Sequence, residues 1–348
     1  MHTEPASEFN APAAAAEAVG GSLSRAEISR RLDAVLDGEL APDNFASWLR
    51  QSADRLPTAA EVAGVADALH RRMRRLEAAV AGPIVDTCGT GGDGSGSFNI
   101  STAAAIVVAA VGVPVAKHGN RAVSSRTGSA DVLEQLGVKI DAPIDVTRAC
   151  LEGAGICFCF APAHHPSMAV LGPLRRQIGR PTVFNLVGPL CNPAAAAVQV
   201  IGVGRRGAEA AMAEAARLVG LRRALIVWSE DGVDEVGLFA PTRVIEVTPV
   251  GLSEQRWSPE TFGLRTAPES ARTELVAADA AASAAIIRDL LGGKRGPCRD
   301  IVVLNAAAVL WAAGRGDDLP AARQLAEQAI DNGTAAAALE RLATISHQ

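Results

Sequence analysis

The sequence contains no tyrosine, and aromatic side chains make up only 3% of its 348 residues, yet 49% are hydrophobic and 20% charged. Those fractions are ordinary for a folded globule, so the aromatic scarcity excludes neither a core nor a fold. Alanine supplies much of the apolar count and favours closely packed helices. An excess of positive charge is also missing, with a formal charge of −5. That balance excludes a broad nucleic-acid or acidic-membrane surface, which needs clustered Lys and Arg. No apolar run is long enough to span a bilayer: the longest, residues 103–115, is broken by Gly112 and Pro114 and falls short of about 20 residues. Of Cys88, Cys150, Cys157, Cys159, Cys191 and Cys298, only Cys157 and Cys159 lie close together. Without a second pair they read as buried, reduced thiols rather than a zinc site or a disulfide framework. Residues 1–22 carry Glu4, Glu8 and Glu17 and no basic start, which fits neither a secretory signal nor a mitochondrial presequence. They read as a disordered tail on a cytoplasmic protein.

Residues 23–82 follow a helical rhythm, with apolar side chains at Ile28, Leu32, Val35, Leu36, Phe45, Leu49, Val62, Val65 and Leu69, and form a small helical domain. Thr58 and Glu61 have capping-box spacing, and the basic run 71–75 reads as a solvated face. After Gly82 short apolar runs alternate with helical stretches, which implies parallel strands with crossover helices. Strands are expected at 84–85, 114–117, 156–160, 198–203, 224–228 and 243–247. Helices are expected at 101–111, 208–219, 280–291, 301–313 and 319–331. The fold class is α/β: a small all-helical domain on a larger α/β domain, residues 83–348, with a mostly parallel sheet. A helical segment near 164–195 rejoins the helical part, and the three prolines within 181–193 mark a passage between the two.

The sharpest segment runs from Asp86 to Thr102, DTCGTGGDGSGSFNIST. Its glycines allow tight turns and bring backbone N–H groups close to an anion without a Cβ in the way. Asn99, Ser101 and Thr102 then stand at a helix start as N-capping residues, where free amides and the dipole favour phosphate. Gly89, Gly91 and Gly94 satisfy the dinucleotide pattern, but that fold wants an acidic residue ending the second strand. Here the second strand ends in Lys117 and His118. No G-K-[ST] follows, which excludes a P-loop.

A second constellation, Lys117-His118-Gly119-Asn120-Arg121-Ala122-Val123-Ser124-Ser125, lies at the carboxyl end of the next strand. Ligands of open α/β sheets collect outside such ends, so both loops should open on one crevice. Lys117 and Arg121 supply positive charge, and the serine hydroxyls and Gly119 amide can bond phosphate oxygens. A third, Asp231-Gly232-Val233-Asp234-Glu235, follows the strand at 224–228 and offers carboxylates to a hard cation such as Mg²⁺.

Together these residues resemble the anthranilate phosphoribosyltransferase family. The matching elements are GTGGD from Gly89 to Asp93, NIST from Asn99 to Thr102, KHGNR from Lys117 to Arg121, and Ser124-Ser125. Further on come Gly128-Ser129-Ala130-Asp131, Phe160-Ala161-Pro162, His164-His165-Pro166, Phe184-Asn185 and Gly188-Pro189-Leu190. The resemblance implies transfer of a phosphoribosyl group from phosphoribosyl pyrophosphate to the amine of anthranilate in tryptophan biosynthesis. It also implies a homodimer and two Mg²⁺ ions. By the same resemblance Gly89, Gly92, Asp93, Ser97, Asn99, Ile100, Ser101, Thr102, the run Lys117 to Ser125, and Ser129 contact phosphoribosyl pyrophosphate. Ser101, Asp234 and Glu235 hold the metal ions, while Gly89, Asn120 and Arg175 meet anthranilate. Lys117, Asn120 and Arg175 are the candidate catalytic residues.

The chain departs from the family pattern at Ile178-Gly179-Arg180-Pro181-Thr182, where the family carries arginine in the place of Pro181. His118 has the right ordinary pKa for a general base, but a structural, hydrogen-bonding role is expected. His164 and His165 are expected to shape the acceptor pocket. Two other readings are open at this stage. A pyrimidine nucleoside phosphorylase-like enzyme would not need Asp234 and Glu235, and a non-catalytic nucleic-acid-binding relative would carry a basic surface.

Overall fold

The computed structural model of the protein describes residues 23–122 and 126–348. The expected tail, 1–22, and three expected phosphate contacts, Val123, Ser124 and Ser125, lie outside the described residues. Three helices come first: α1 (Arg25–Leu36), α2 (Asp43–Asp54) and α3 (Ala59–Arg72). Helix α3 starts on the expected capping box, Thr58 accepting from the Glu61 amide and Glu61 from the Thr58 amide. The Glu61 carboxylate is fully buried and also takes hydrogen bonds from Arg55 and Trp48. Such partners are what make a buried charge tolerable. The basic run is solvated at Arg71, Arg74 and Arg75, as expected, but it is not only a solvated face. Arg71 and Arg72 reach back to Asp33 and Asp37 of α1 and its cap, so the run ties the first helix to the third. Helix ends at Arg72, and residues 73–84 form an irregular connection.

Seven strands follow: β1 (Val85–Asp86), β2 (Val115–Gly119), β3 (Ile156–Phe160), β4 (Val198–Gly202), β5 (Arg223–Ser229), β6 (Thr242–Thr248) and β7 (Gly251–Trp257). They form one sheet in the order β3-β2-β1-β4-β5-β6-β7. Pairings from β3 across to β5 are parallel, and β6 and β7 add an antiparallel edge. The crossovers and flanks are α4 (Ile100–Ala110), α5 (Ser129–Gln135), α6 (Ile144–Ala154), α7 (Ala161–His164), α8 (Gly172–Ile178), α9 (Phe184–Val187) and α10 (Glu209–Val219). The chain closes with α11 (Ala280–Leu291), α12 (Pro297–Ala312), α13 (Leu319–Asp331) and α14 (Thr334–Ser346). The fold class is therefore the expected mixed α/β one. Strand β7 and helices α5, α6 and α14 are additions to the expected set.

Strand alternation sorts the core into two layers. On β4 and β5, Val198, Val200, Leu225 and Val227 face a core built with α4 and α11–α14. Ile201, Val203, Ala224 and Ile226 face the other way, into a core they share with α1–α3, α10 and the segment 183–191. The helical cap is thereby seated on one sheet face by continuous apolar packing. Among the described residues no helix is long and apolar enough to cross a membrane.

Candidate active site

The chain runs β1, β2, β3 to one side of β1 and then returns to place β4 on its other side. That reversal opens a crevice at the carboxyl ends of β1 and β4, where ligands of open α/β sheets bind. A cavity of about 950 Å³ lies there, lined by the glycine segment, the Lys117–Ala122 loop, Asp234, Glu235 and the 161–191 region.

The glycine segment is held open by its own backbone. Gly91, Gly92, Gly94 and Gly96 have φ between +65° and +83°, the region where a side chain is strained. The loop lies so close to the β4 end that a Cβ on Gly204 would stand 2.4 Å from the Gly91 carbonyl oxygen. Thr90 donates its amide to Gly202 O at 2.8 Å, and Gly204 donates to Thr90 Oγ1 at 2.9 Å. Neither Gly202 nor Gly204 was among the expected site residues, although the G-x-G after β4 could have signalled a close approach. At the far end of the loop, Phe98 donates to Leu275 O at 2.7 Å and Ala277 to Gly96 O at 3.1 Å, which pins the cradle to residues 275–277.

Asn99 precedes α4 as expected, but its side chain makes no cap hydrogen bond. Its Oδ1 accepts instead from Ser283 and Thr127, each at 2.8 Å. Those partners outbid the local cap, so the expected capping trio is corrected. Of the first-turn amides of α4, Ile100 donates to Phe98 O at 2.7 Å and Ser101 to Glu235, so only part of the helix start is open to an anion.

Beneath the cradle lies a buried polar floor. Lys117 is 3% exposed and donates to Thr87 Oγ1 at 3.1 Å and Ser101 Oγ at 3.4 Å. Asp86, fully buried, accepts from Asn192 Nδ2 and from the Thr87 amide, both at 2.7 Å, and from the His118 amide at 3.3 Å. Burial pushes its carboxyl up to about 6 against the pull of Lys117 and Asn192. His118 Nδ1 is 3.0 Å from Gly188 O, a pure acceptor, so Nδ1 carries the ring proton. Burial drives this imidazole down to about 3, which keeps it neutral in its structural role.

Asp234 and Glu235 enter from the loop after β5. Asp234 Oδ2 accepts from the Gly91 amide at 2.9 Å, while the Asp234 amide lies 3.4 Å from Asp93 Oδ2. Glu235 accepts from the Ser101 amide. Desolvation and the facing Asp93 push the Asp234 carboxyl up, and desolvation with Asp234 pushes Glu235 up. Crowded carboxylates of this kind are offset by a hard cation. Among the described residues no group of three His, Cys, Asp or Glu side chains forms a closed metal cage. Mg²⁺ commonly keeps water and substrate oxygens as ligands, so an incomplete, all-oxygen protein set fits it.

The 161–191 side of the cavity sets Arg175 and Arg176 among Met168, Ala169, Phe184 and Val187. Arg175 is half-buried, its guanidinium 5.4 Å from the centre of the Phe184 ring, and burial pulls its pKa down. His165 lines the cavity and bonds Cys191 O at 3.0 Å. His164 does not line it: the turn after β3 sends its ring to Arg74 O at 2.7 Å, which corrects half of the expected pair. Gly119 is required where it stands, since a Cβ there would lie 2.1 Å from Ser129 Oγ and 2.8 Å from the Phe158 ring. Ser129 donates to Asn120 O at 3.4 Å. Arg121 lines the cavity, but its guanidinium is held by Asp131 and Glu134. Cys157 and Cys159 are both buried, with sulfurs 3.9 Å apart.

Residues 81–336 match the glycosyl transferase family a/b domain. An anthranilate phosphoribosyltransferase of Rubrobacter xylanophilus is 45% identical over 335 residues, covering 95% of this chain and 96% of its own. The crystal structure of anthranilate phosphoribosyltransferase from Thermus thermophilus superposes with a TM-score of 0.87 at 40% identity, covering 95% of this chain and 98% of that one. The Saccharomyces cerevisiae enzyme in complex with phosphoribosyl pyrophosphate and Mg superposes at 0.82 with 26% identity, covering 93% and 94% respectively. On this likeness, carried along nearly its whole length, the chain belongs to the anthranilate phosphoribosyltransferase family.

Proposed function

We infer that the protein moves the 5-phosphoribosyl group of phosphoribosyl pyrophosphate onto the amine of anthranilate, releasing pyrophosphate, in tryptophan biosynthesis. The observation that carries this reading is the convergence on one crevice of three unlike features. These are a side-chain-free glycine cradle running into a helix N-terminus, a pair of acidic residues backed by Asp93, and an underemployed guanidinium in an apolar recess.

The chemistry breaks the ribose C1–O bond to pyrophosphate and forms a C1–N bond, with loss of one proton from the amine. We propose that Gly89, Gly92, Asp93, Ser97, Asn99 to Thr102, Lys117 to Ser125 and Ser129 line the donor. Preorganised donors aimed at the departing charge are the largest lever on such a reaction. Lys117 supplies one, fixed by Thr87 and Ser101 in the buried floor. Ser101, Asp234 and Glu235 would hold Mg²⁺, two ions per subunit, which when bound neutralises charge on the pyrophosphate. Arg175 and Asn120 would orient anthranilate, the first through its carboxylate. An aromatic amine is neutral near pH 7, so positioning replaces a strong base.

We further propose a helical domain of residues 23–82 rejoined by the segment near 164–195, a phosphoribosyl pyrophosphate-binding domain of residues 83–348, assembly as a homodimer, and a cytoplasmic location. Calorimetric titration with phosphoribosyl pyrophosphate tests the donor site directly. Saturable binding that needs Mg²⁺ is expected, and binding indifferent to Mg²⁺ contradicts the metal assignment.

A further inference from the structure

We infer that Arg126, rather than Arg121, is the arginine that meets phosphate oxygens of the donor at the glycine cradle. This rests on reading the crevice as a phosphoribosyl pyrophosphate site. A donor with several phosphate charges needs cations near it, and β2 with the loop after it offers three: Lys117, Arg121 and Arg126. Lys117 lies in the floor, occupied with Thr87 and Ser101.

Arg121 is committed elsewhere. Its Nη1 lies 3.1 Å from Asp131 Oδ1, its Nη2 lies 2.8 Å from Glu134 Oε1, and its guanidinium sits 6.0 Å from the centre of the Phe160 ring. Asp131 is itself a fixed point of the loop, accepting the Ala122 amide at 2.9 Å and the Gly128 amide at 3.0 Å. Swinging Arg121 to a phosphate would therefore break two ion pairs and strip the carboxylate that shapes the loop. Where it stands beside the donor, its guanidinium braces the loop.

Arg126 lines the cavity as Arg121 does, but it lies against the cradle: its Cζ, Nε and Nη1 lie 3.5, 3.6 and 3.7 Å from where a Cβ on Gly96 would stand. The guanidinium thus lies against bare cradle backbone, one residue from Ser97. It has no hydrogen bond or ion pair to any other described residue. An exposed, unpaired guanidinium on a glycine-rich anion cradle has the planar donor fork that phosphate accepts. In the sequence the charge signal sits on Arg121, five residues earlier in the KHGNR element, and no letter near Arg126 marks it out.

The test is binding and kinetics of Arg126→Ala, Arg126→Lys and Arg121→Gln beside the unaltered protein. Arg126→Ala should weaken phosphoribosyl pyrophosphate roughly ten- to a hundred-fold in both Kd and KM, with the KM for anthranilate and the Tm held. Arg126→Lys should recover part of the loss. Arg121→Gln should lower the Tm and shift the donor constants less than Arg126→Ala does. Ribose 5-phosphate and inorganic pyrophosphate, used as competitors, identify which phosphate is touched, since only the touched one loses potency against Arg126→Ala. Donor binding by Arg126→Ala within twofold of the unaltered protein, or undiminished potency of both competitors, overturns the inference. Absence of donor binding in the unaltered protein would instead overturn the functional reading beneath it.

Discussion

Asn192 donates one side-chain nitrogen to both Asp86 Oδ2 and the Ala116 carbonyl, each at 2.7 Å. The contact fastens the segment around Asn192 to the end of β1 and the start of β2. Both side chains are buried, so Asn192→Ala leaves a buried carboxylate short of a donor. A stability loss of about 2–3 kcal/mol is expected in urea denaturation. A loss below about 0.5 kcal/mol contradicts the assigned role.

Gly204 carries the close approach of the β4 end to the cradle. Gly204→Ala must displace Gly91, whose carbonyl would sit 2.4 Å from the new methyl group. Overpacking of this kind costs about 1–3 kcal/mol. The KM for phosphoribosyl pyrophosphate is expected to rise roughly tenfold or more, ahead of any change for anthranilate. Steady-state kinetics with each substrate varied decide it, and equal shifts for both count against a local effect.

The buried histidines set the acid limb of stability. Burial drives His165 down to about 4 in the folded protein, whereas the unfolded chain takes up its proton near pH 6.5. Folded-state affinity is the lower one, so the contribution is complete above about pH 6.5 and is lost as pH falls toward 4. His165→Gln keeps a donor for Cys191 O and removes the titration. Between pH 7.5 and pH 5, the variant should lose about 2 kcal/mol less than the unaltered protein. Parallel stability–pH curves for the two would refute this.

Much of the fold is legible because pattern and boundary agree. Strand β3, a continuous apolar run, ends where expected, and α11 and α13 begin on Asp279 and Asp318, whose side chains cap them. Strand β7 is illegible because Leu252 to Arg256 is exposed or nearly so and carries no alternating signal. It exists through pairing with β6 and through Trp257 at its end, which is buried against Phe262 and Trp311. In the site, residue types and order identify the loops, but tertiary partners decide orientation. Ser283, distant in sequence, diverts Asn99 from its helix, and one turn of chain separates the roles of His164 and His165. Arg121 and Arg126 are indistinguishable as sequence letters; Asp131 and Glu134 tell them apart.

The acidic loop gives a metal test independent of turnover. Asp234→Asn with Glu235→Gln removes two facing charges while keeping size, so Mn²⁺ binding followed by paramagnetic resonance with donor present should weaken strongly. The variant should gain thermal stability without metal, because crowded, half-buried carboxylates are relieved. Unchanged Mn²⁺ affinity would remove these residues from the metal site.

The most direct measurement is turnover itself: the protein mixed with phosphoribosyl pyrophosphate, Mg²⁺ and anthranilate, with anthranilate fluorescence followed in time. The account predicts a loss of fluorescence that requires all three components and releases one pyrophosphate for each anthranilate consumed. Folded protein that leaves the fluorescence unchanged under these conditions contradicts it.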